Sequence, residues 1–118
     1  RVSVREATYV TLGGIEQWIT IRGDDLANPV ILFLHGGPGS TLSPFADAMF
    51  GNWERDFTLV QWDQRGAGRT FGRQAPGELT EEFFRSHPLR LGRMVADGID
   101  LAKHLSERFG RRKIILLG

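Results

Sequence analysis

Apolar and polar positions alternate at the start of the chain, run together in its middle and recur at helical spacing near its end. Each pattern predicts a different element. Residues 2 to 12 and 15 to 22 read as strands, the second with Ile15, Gln17, Ile19 and Ile21 alternating against Glu16, Trp18, Thr20 and Arg22. Gly13-Gly14 lies between them as a turn of the kind that closes a hairpin, so the pair is expected to be antiparallel, at a sheet edge, with one wetter face. Val30-Ile-Leu-Phe-Leu34 is an unbroken apolar run between Asn28-Pro29 and a cluster of glycines, the pattern of a strand buried on both faces of a parallel sheet. Phe57 to Trp62 predicts the next strand, and Ile114 to Leu117 a further one of the fully buried kind.

Helical signals fall between these runs. Ser43-Pro44 can cap and open a short helix reaching about Phe50. Phe71 to Leu89 reads as an excursion in which Thr80 to Ser86 forms one helical turn or two, ended by Pro88. Leu91, Met94, Val95, Gly98, Leu101, Ala102, Leu105 and Phe109 recur at helical spacing, with Gly110 placed as the C-terminal cap. Strands alternating with helices imply right-handed crossovers. The expected fold class is therefore α/β, a mostly parallel sheet with an N-terminal antiparallel hairpin and helices on both faces. No internal repeat, low-complexity tract or linker divides residues 1–118.

Composition narrows the function classes more than the fold. At 118 residues, 41% apolar and 25% charged, the chain is the size and composition of one ordinary globular domain. Fifteen basic against fourteen acidic residues give a net charge of +1, too little to attract a phosphate backbone or anionic lipid, so neither nucleic acid nor membrane is an expected partner. No apolar run approaches the roughly 20 residues that span a bilayer, and Arg1-Val-Ser-Val has no hydrophobic signal core, which makes the cytoplasm the simplest expected location. Zero cysteines exclude disulfides and thiolate metal sites but fit either redox compartment. An initiator methionine is missing, and the chain stops at Gly118 where a loop should begin.

The chemistry is expected where two strands deliver polar loops to one edge: His35-Gly-Gly-Pro-Gly39 after the first buried strand, and Asp63-Gln-Arg-Gly-Ala-Gly-Arg-Thr70 after the next. In open α/β sheets ligands bind beyond the carboxyl ends of the strands. Gly36, Gly37 and Gly39 let backbone N–H groups approach a ligand with no Cβ in the way. A phosphate cradle does not match: Leu42 and Phe71 stand where a third glycine would, and no Gly-Lys-Ser/Thr occurs. His35, His87 and His104 are too scattered for a metal set, and no pair has helical i, i+4 spacing. His35 reads as an orienting residue in preference to a general base. No serine in the chain has the strand-turn-helix context of an activated nucleophile.

Together the His35–Gly39 and Asp63–Thr70 motifs resemble the α/β-hydrolase superfamily, specifically proline iminopeptidase-like serine hydrolases. The likeness covers essentially the whole chain, which resembles an N-terminal part. Ile114 to Gly118 is similar to the strand leading into a Gly-x-Ser-x-Gly nucleophile elbow, with Gly118 as its first glycine. The resemblance implies that Gly37 supplies one backbone N–H of an oxyanion hole, that Pro38 stiffens this turn, and that His35, Gly36 and Gly39 complete the loop. It further implies that Asp63, Gln64, Arg65 and Gly66 form a supporting loop that braces the oxyanion loop by charge-assisted hydrogen bonds. Thr70 stands where serine is commoner in the family, and residues 71 to 89 look longer than in typical members.

The implied activity is cofactor-free, metal-free hydrolysis of an amide or ester carbonyl in a small molecule or short peptide, through an acyl-enzyme, with removal of N-terminal proline the leading subclass. A carboxylesterase of the same fold and a non-catalytic ligand-binding or scaffold member remain as alternatives. The nucleophile, acid and base are not in this chain. The expected partner is therefore a complementary C-terminal segment of the same hydrolase, with the rest of the domain and any cap also outside the chain. Alone, the chain is expected to be inactive.

Overall fold

A computed structural model describes residues 2–34, 51–74, 80–86, 90–110 and 113–117. Strands β1 (Val4–Leu12) and β2 (Ile15–Gly23) form the expected hairpin, paired from Val4↔Gly23 to Leu12↔Ile15. Both turn glycines have positive φ, 60° at Gly13 and 83° at Gly14, as a two-residue turn matched to strand twist requires. β3 (Val30–Phe33) follows, then a 3₁₀ turn (Gly51–Arg55), β4 (Thr58–Asp63), α1 (Gly68–Gln74), α2 (Glu81–Ser86), α3 (Leu91–Arg108) and β5 (Ile114–Leu117). The expected helix from Ser43 to Phe50 lies outside the described residues.

Among the described residues the five strands form one mixed sheet in the order β1-β2-β4-β3-β5. β3 pairs in parallel with both β4 and β5, whereas β2 joins β4 antiparallel through Trp18↔Asp63 to Arg22↔Leu59. The hairpin is thus an edge, as its alternation predicted, and it carries its turn to the same end of the sheet at which β4 finishes.

Period 2 in the strands separates the two faces. On one, Ile19, Ile21, Val30, Leu32, Val60 and Trp62 pack against Leu101, Leu105 and Phe109 of the α3 region. On the other, Ile31, Phe33 and Leu59 cluster with Phe57. Gln17, read as part of the apolar row, is buried among the first set because both ends of its amide are hydrogen-bonded. Its Nε2 donates to the Leu12 carbonyl at 3.0 Å, and its Oε1 accepts the Trp62 indole N–H at 3.0 Å.

Three sequence expectations need correction. α1 occupies residues read as loop and excursion, because Gly68-Arg-Thr-Phe-Gly-Arg-Gln has little intrinsic helix preference and is held instead by contacts with the hairpin. Arg69 lies 4.7 Å from the Trp18 ring centroid and Arg73 4.4 Å from that of Tyr9, while Arg73 also reaches Glu16 at 2.8 Å. The apolar stripe of α3 is buried only over its second half: Leu101 and Leu105 are enclosed, but Leu91 is 78% and Val95 54% exposed. Gly98 marks the changeover, close enough that a Cβ there would touch Trp62 at 3.8 Å. Finally, β5 is not fully buried. Among the described residues it pairs within the sheet with β3 alone, and Leu116 is 59% exposed.

Candidate active-site edge

β3 and β4 are adjacent and parallel, with Leu32 level with Val60, so they leave the sheet side by side at one end, about 4.8 Å apart. That end is where both motif loops begin. Leu34, the last described residue before the glycine loop, donates its N–H to the Leu117 carbonyl at 2.8 Å, so β5 ends there as well. His35, Gly36, Gly37, Pro38, Gly39 and Gly118 lie outside the described residues, as does His87. The oxyanion assignment to Gly37 accordingly stays an expectation.

The second loop is described in full. Gln64 accepts the Ala67 N–H at 2.9 Å, and Gly66, third of these four residues, has φ 82°. A positive φ at that place is the requirement of a type II turn, which a side chain would resist. Asp63 is buried, and its Oδ2 accepts the Arg69 N–H at 2.8 Å, satisfying a donor that the first turn of α1 leaves open. Thr70, also buried, donates to the Asp63 carbonyl and accepts the Trp18 N–H at 2.8 Å. Strand end, turn and helix start therefore form one hydrogen-bonded unit against β2.

Arg65 leaves this unit for the opposite side of the hairpin. Its Nε donates to Asp97 Oδ2 at 2.9 Å, and its Nη2 to Asp97 Oδ1 at 3.2 Å and to the Gly13 carbonyl at 3.1 Å. The structure thus brings Asp63, Gln64, Arg65 and Gly66 together as a braced loop, tied to α3 and to the hairpin turn. Sequence reading passed over Asp97, Asp100, Gly13 and Trp18 in these roles. A usable signal existed at Asp97, a carboxylate set in the apolar stripe between Met94 and Leu101. Among the described residues no group of three or more His, Asp or Glu side chains is arranged to hold a metal ion, and His104 lies half-buried on α3.

No family model matches the chain. It is 30% identical over 109 residues to the probable aminopeptidase YbaC of Bacillus subtilis (strain 168), an alignment covering 92% of this chain and 31% of that protein. Among solved structures, a proline iminopeptidase-related protein from Thermus thermophilus superposes with a TM-score of 0.66 at 25% identity, over 96% of this chain and 35% of that one. An epoxide hydrolase from Vigna radiata gives 0.64 at 26% identity, over 95% and 29%. An α/β hydrolase from Novosphingobium aromaticivorans DSM 12444 gives 0.61 at 16% identity, over 100% and 36%, a likeness of fold alone. The chain spans about a third of the length of these relatives. With its sheet order and these likenesses, the chain has the α/β-hydrolase fold, and the hydrolases it resembles include proline iminopeptidase-related and epoxide hydrolase members of that superfamily.

Proposed function

We propose that the protein carrying this chain is a serine hydrolase that opens an amide or ester carbonyl through an acyl-enzyme, with aminopeptidase action on N-terminal proline as its leading subclass. The observation that carries this reading is the delivery of both motif loops to one sheet end by the parallel pair β3 and β4. The resemblance to a probable aminopeptidase and to a proline iminopeptidase-related protein supports the subclass. In this reading Gly37 offers its N–H to the oxyanion of the tetrahedral intermediate, and the Asp63–Gly66 loop supports the glycine loop beside it. The chain supplies these parts but no triad. A complementary C-terminal segment brings serine, acid and histidine, and the reaction runs in the cytoplasm without cofactor or metal.

Epoxide hydrolysis is the second reading, favoured by the Vigna radiata likeness. Assaying the full-length protein on prolyl p-nitroanilide, p-nitrophenyl acetate and styrene oxide, alongside labelling by a fluorophosphonate, separates the two. Amide or ester turnover together with a fluorophosphonate-labelled serine is expected. Turnover of the epoxide alone, with no labelled serine, would replace the first reading with the second.

A further inference from the structure

Asp97 is 1% exposed, yet it sits on a helix face otherwise given to apolar packing. A buried carboxylate without partners would cost several kcal/mol, so its surroundings must compensate it. Three N–H groups do so: Arg65 Nε at 2.9 Å, Arg65 Nη2 at 3.2 Å and Arg93 Nε at 3.1 Å. The fork of Arg65 meets both carboxylate oxygens, a planar match that fixes direction as well as distance. Arg93, by contrast, is a half-exposed neighbour one helical turn away.

Gly13 is held from both sides by the same cluster. Its carbonyl accepts Arg65 Nη2 at 3.1 Å, and its N–H donates to Asp100 Oδ2 at 3.0 Å. A Cβ on Gly13 would lie 2.1 Å from Asp97 Oδ1 and 2.6 Å from Arg93 Nη2, so the absence of a side chain there is what lets the carboxylate take its place. The hairpin turn, the loop after β4 and the first half of α3 are thereby joined at the sheet end where β3 also exits.

We infer that Asp97 is a positioning residue of the hydrolase site. Its carboxylate orients Arg65 and so fixes the Gln64–Ala67 turn beside the exit of β3, the place from which the glycine loop departs. This inference rests on the proposed serine-hydrolase reading for its effect on rate, but not for its effect on the turn.

The test is Asp97→Asn in the full-length protein, which keeps the shape of the side chain but presents an NH₂ group to the guanidinium. Gly13→Ala is the second variant, since it leaves every charge in place and displaces the carboxylate by contact. Well below the melting temperature of each variant, kcat should fall about tenfold to a hundredfold while KM stays within about twofold. Hydrogen exchange of the Ala67 amide should quicken in both, with the amides of Ile19 and Ile21 in the sheet unchanged. A lowered melting temperature with wild-type kcat, or wild-type exchange at Ala67, would overturn the inference. If Asp97→Asn does not fold, Gly13→Ala alone decides it by the same two readouts. Absence of hydrolysis by the wild type would remove only the functional reading, because the exchange measurement needs no turnover.

Discussion

Trp18 donates its backbone N–H to the hydroxyl of Thr70 at 2.8 Å, and that hydroxyl in turn donates a hydrogen bond to the Asp63 carbonyl. One buried oxygen thus satisfies a donor on β2 and an acceptor at the end of β4 while sitting in the first turn of α1. Thr70→Val keeps the volume but removes the hydroxyl that bridges the two backbone groups, and is expected to cost about 1–3 kcal/mol in urea denaturation. Thr70→Ser keeps the hydroxyl and should retain most of that stability. A loss in Thr70→Ser with none in Thr70→Val would show that the methyl group, not the hydroxyl, matters.

Arg65→Ala should lower melting temperature and activity together in the full-length protein. The change leaves Asp97 with the half-exposed Arg93 as its cation and frees the Gly13 carbonyl, and loss of one partner of a buried pair costs roughly 3–5 kcal/mol. Differential scanning calorimetry with steady-state kinetics checks it. Wild-type stability combined with lost substrate affinity would mean that Arg65 contacts substrate.

Gly37→Pro removes the N–H that the proposed mechanism uses for the oxyanion. Turnover should fall roughly a hundredfold or more, with substrate binding changed much less. Unchanged kcat in steady-state kinetics would end the assignment.

Ile115, Leu116 and Leu117 are exposed on β5, which among the described residues is paired only with β3. Such an edge invites strand addition or aggregation. The 118-residue chain, expressed alone, is therefore expected to self-associate and to hydrolyse nothing. Co-expression with the complementary C-terminal segment should yield a soluble complex. A well-folded monomer with activity, seen by light scattering and intact mass, would refute the partner proposal.

Glu6 and Arg108 join the hairpin to α3 by two hydrogen bonds, one of them Nη1 to Oε2 at 2.7 Å and the other Nη2 to Oε1. The bond from Arg108 holds the Glu6 carboxyl below its ordinary value, against a smaller opposing effect of burial. A lowered folded-state pKa gives stability that is full above the unfolded value of about 4.3 and fades as pH falls through it toward the folded one. Both side chains are more than a third exposed, so the gain should be under about 1 kcal/mol and shrink in salt. Comparing wild type with Glu6→Gln in urea at neutral and acidic pH should show a gap at pH 7 that closes on acidification; a gap that widens instead would contradict the pairing.

The sequence by itself determined the elements whose causes are local. Gly13-Gly14 supplies two positive φ values, so the hairpin and its register follow from the turn and the period-2 alternation. The apolar run Val30–Leu34 and the strand-like run Phe57–Trp62 specify strands, observed as Val30–Phe33 and Thr58–Asp63, and the 3.6-residue recurrence ending at Gly110, with φ 69°, specifies α3. The two motif loops were legible because they interrupt those runs at one end of each strand. Tertiary structure alone decided what depends on partners far apart in the chain. α1 forms from a weak helix sequence because Asp63, Trp18 and Tyr9 hold it. The antiparallel union of β2 with β4 brings residues 37 to 45 positions apart together, and no local period encodes it. Asp97 looks like a break in an apolar stripe until Arg65, 32 residues earlier, is placed against it. β5 reads as a fully buried strand from its apolar run, but burial depends on neighbours, and among the described residues it pairs within the sheet with β3 alone. Local dihedral preference and periodicity are written residue by residue, whereas ion pairs and sheet order arise only when the folded chain closes those distances.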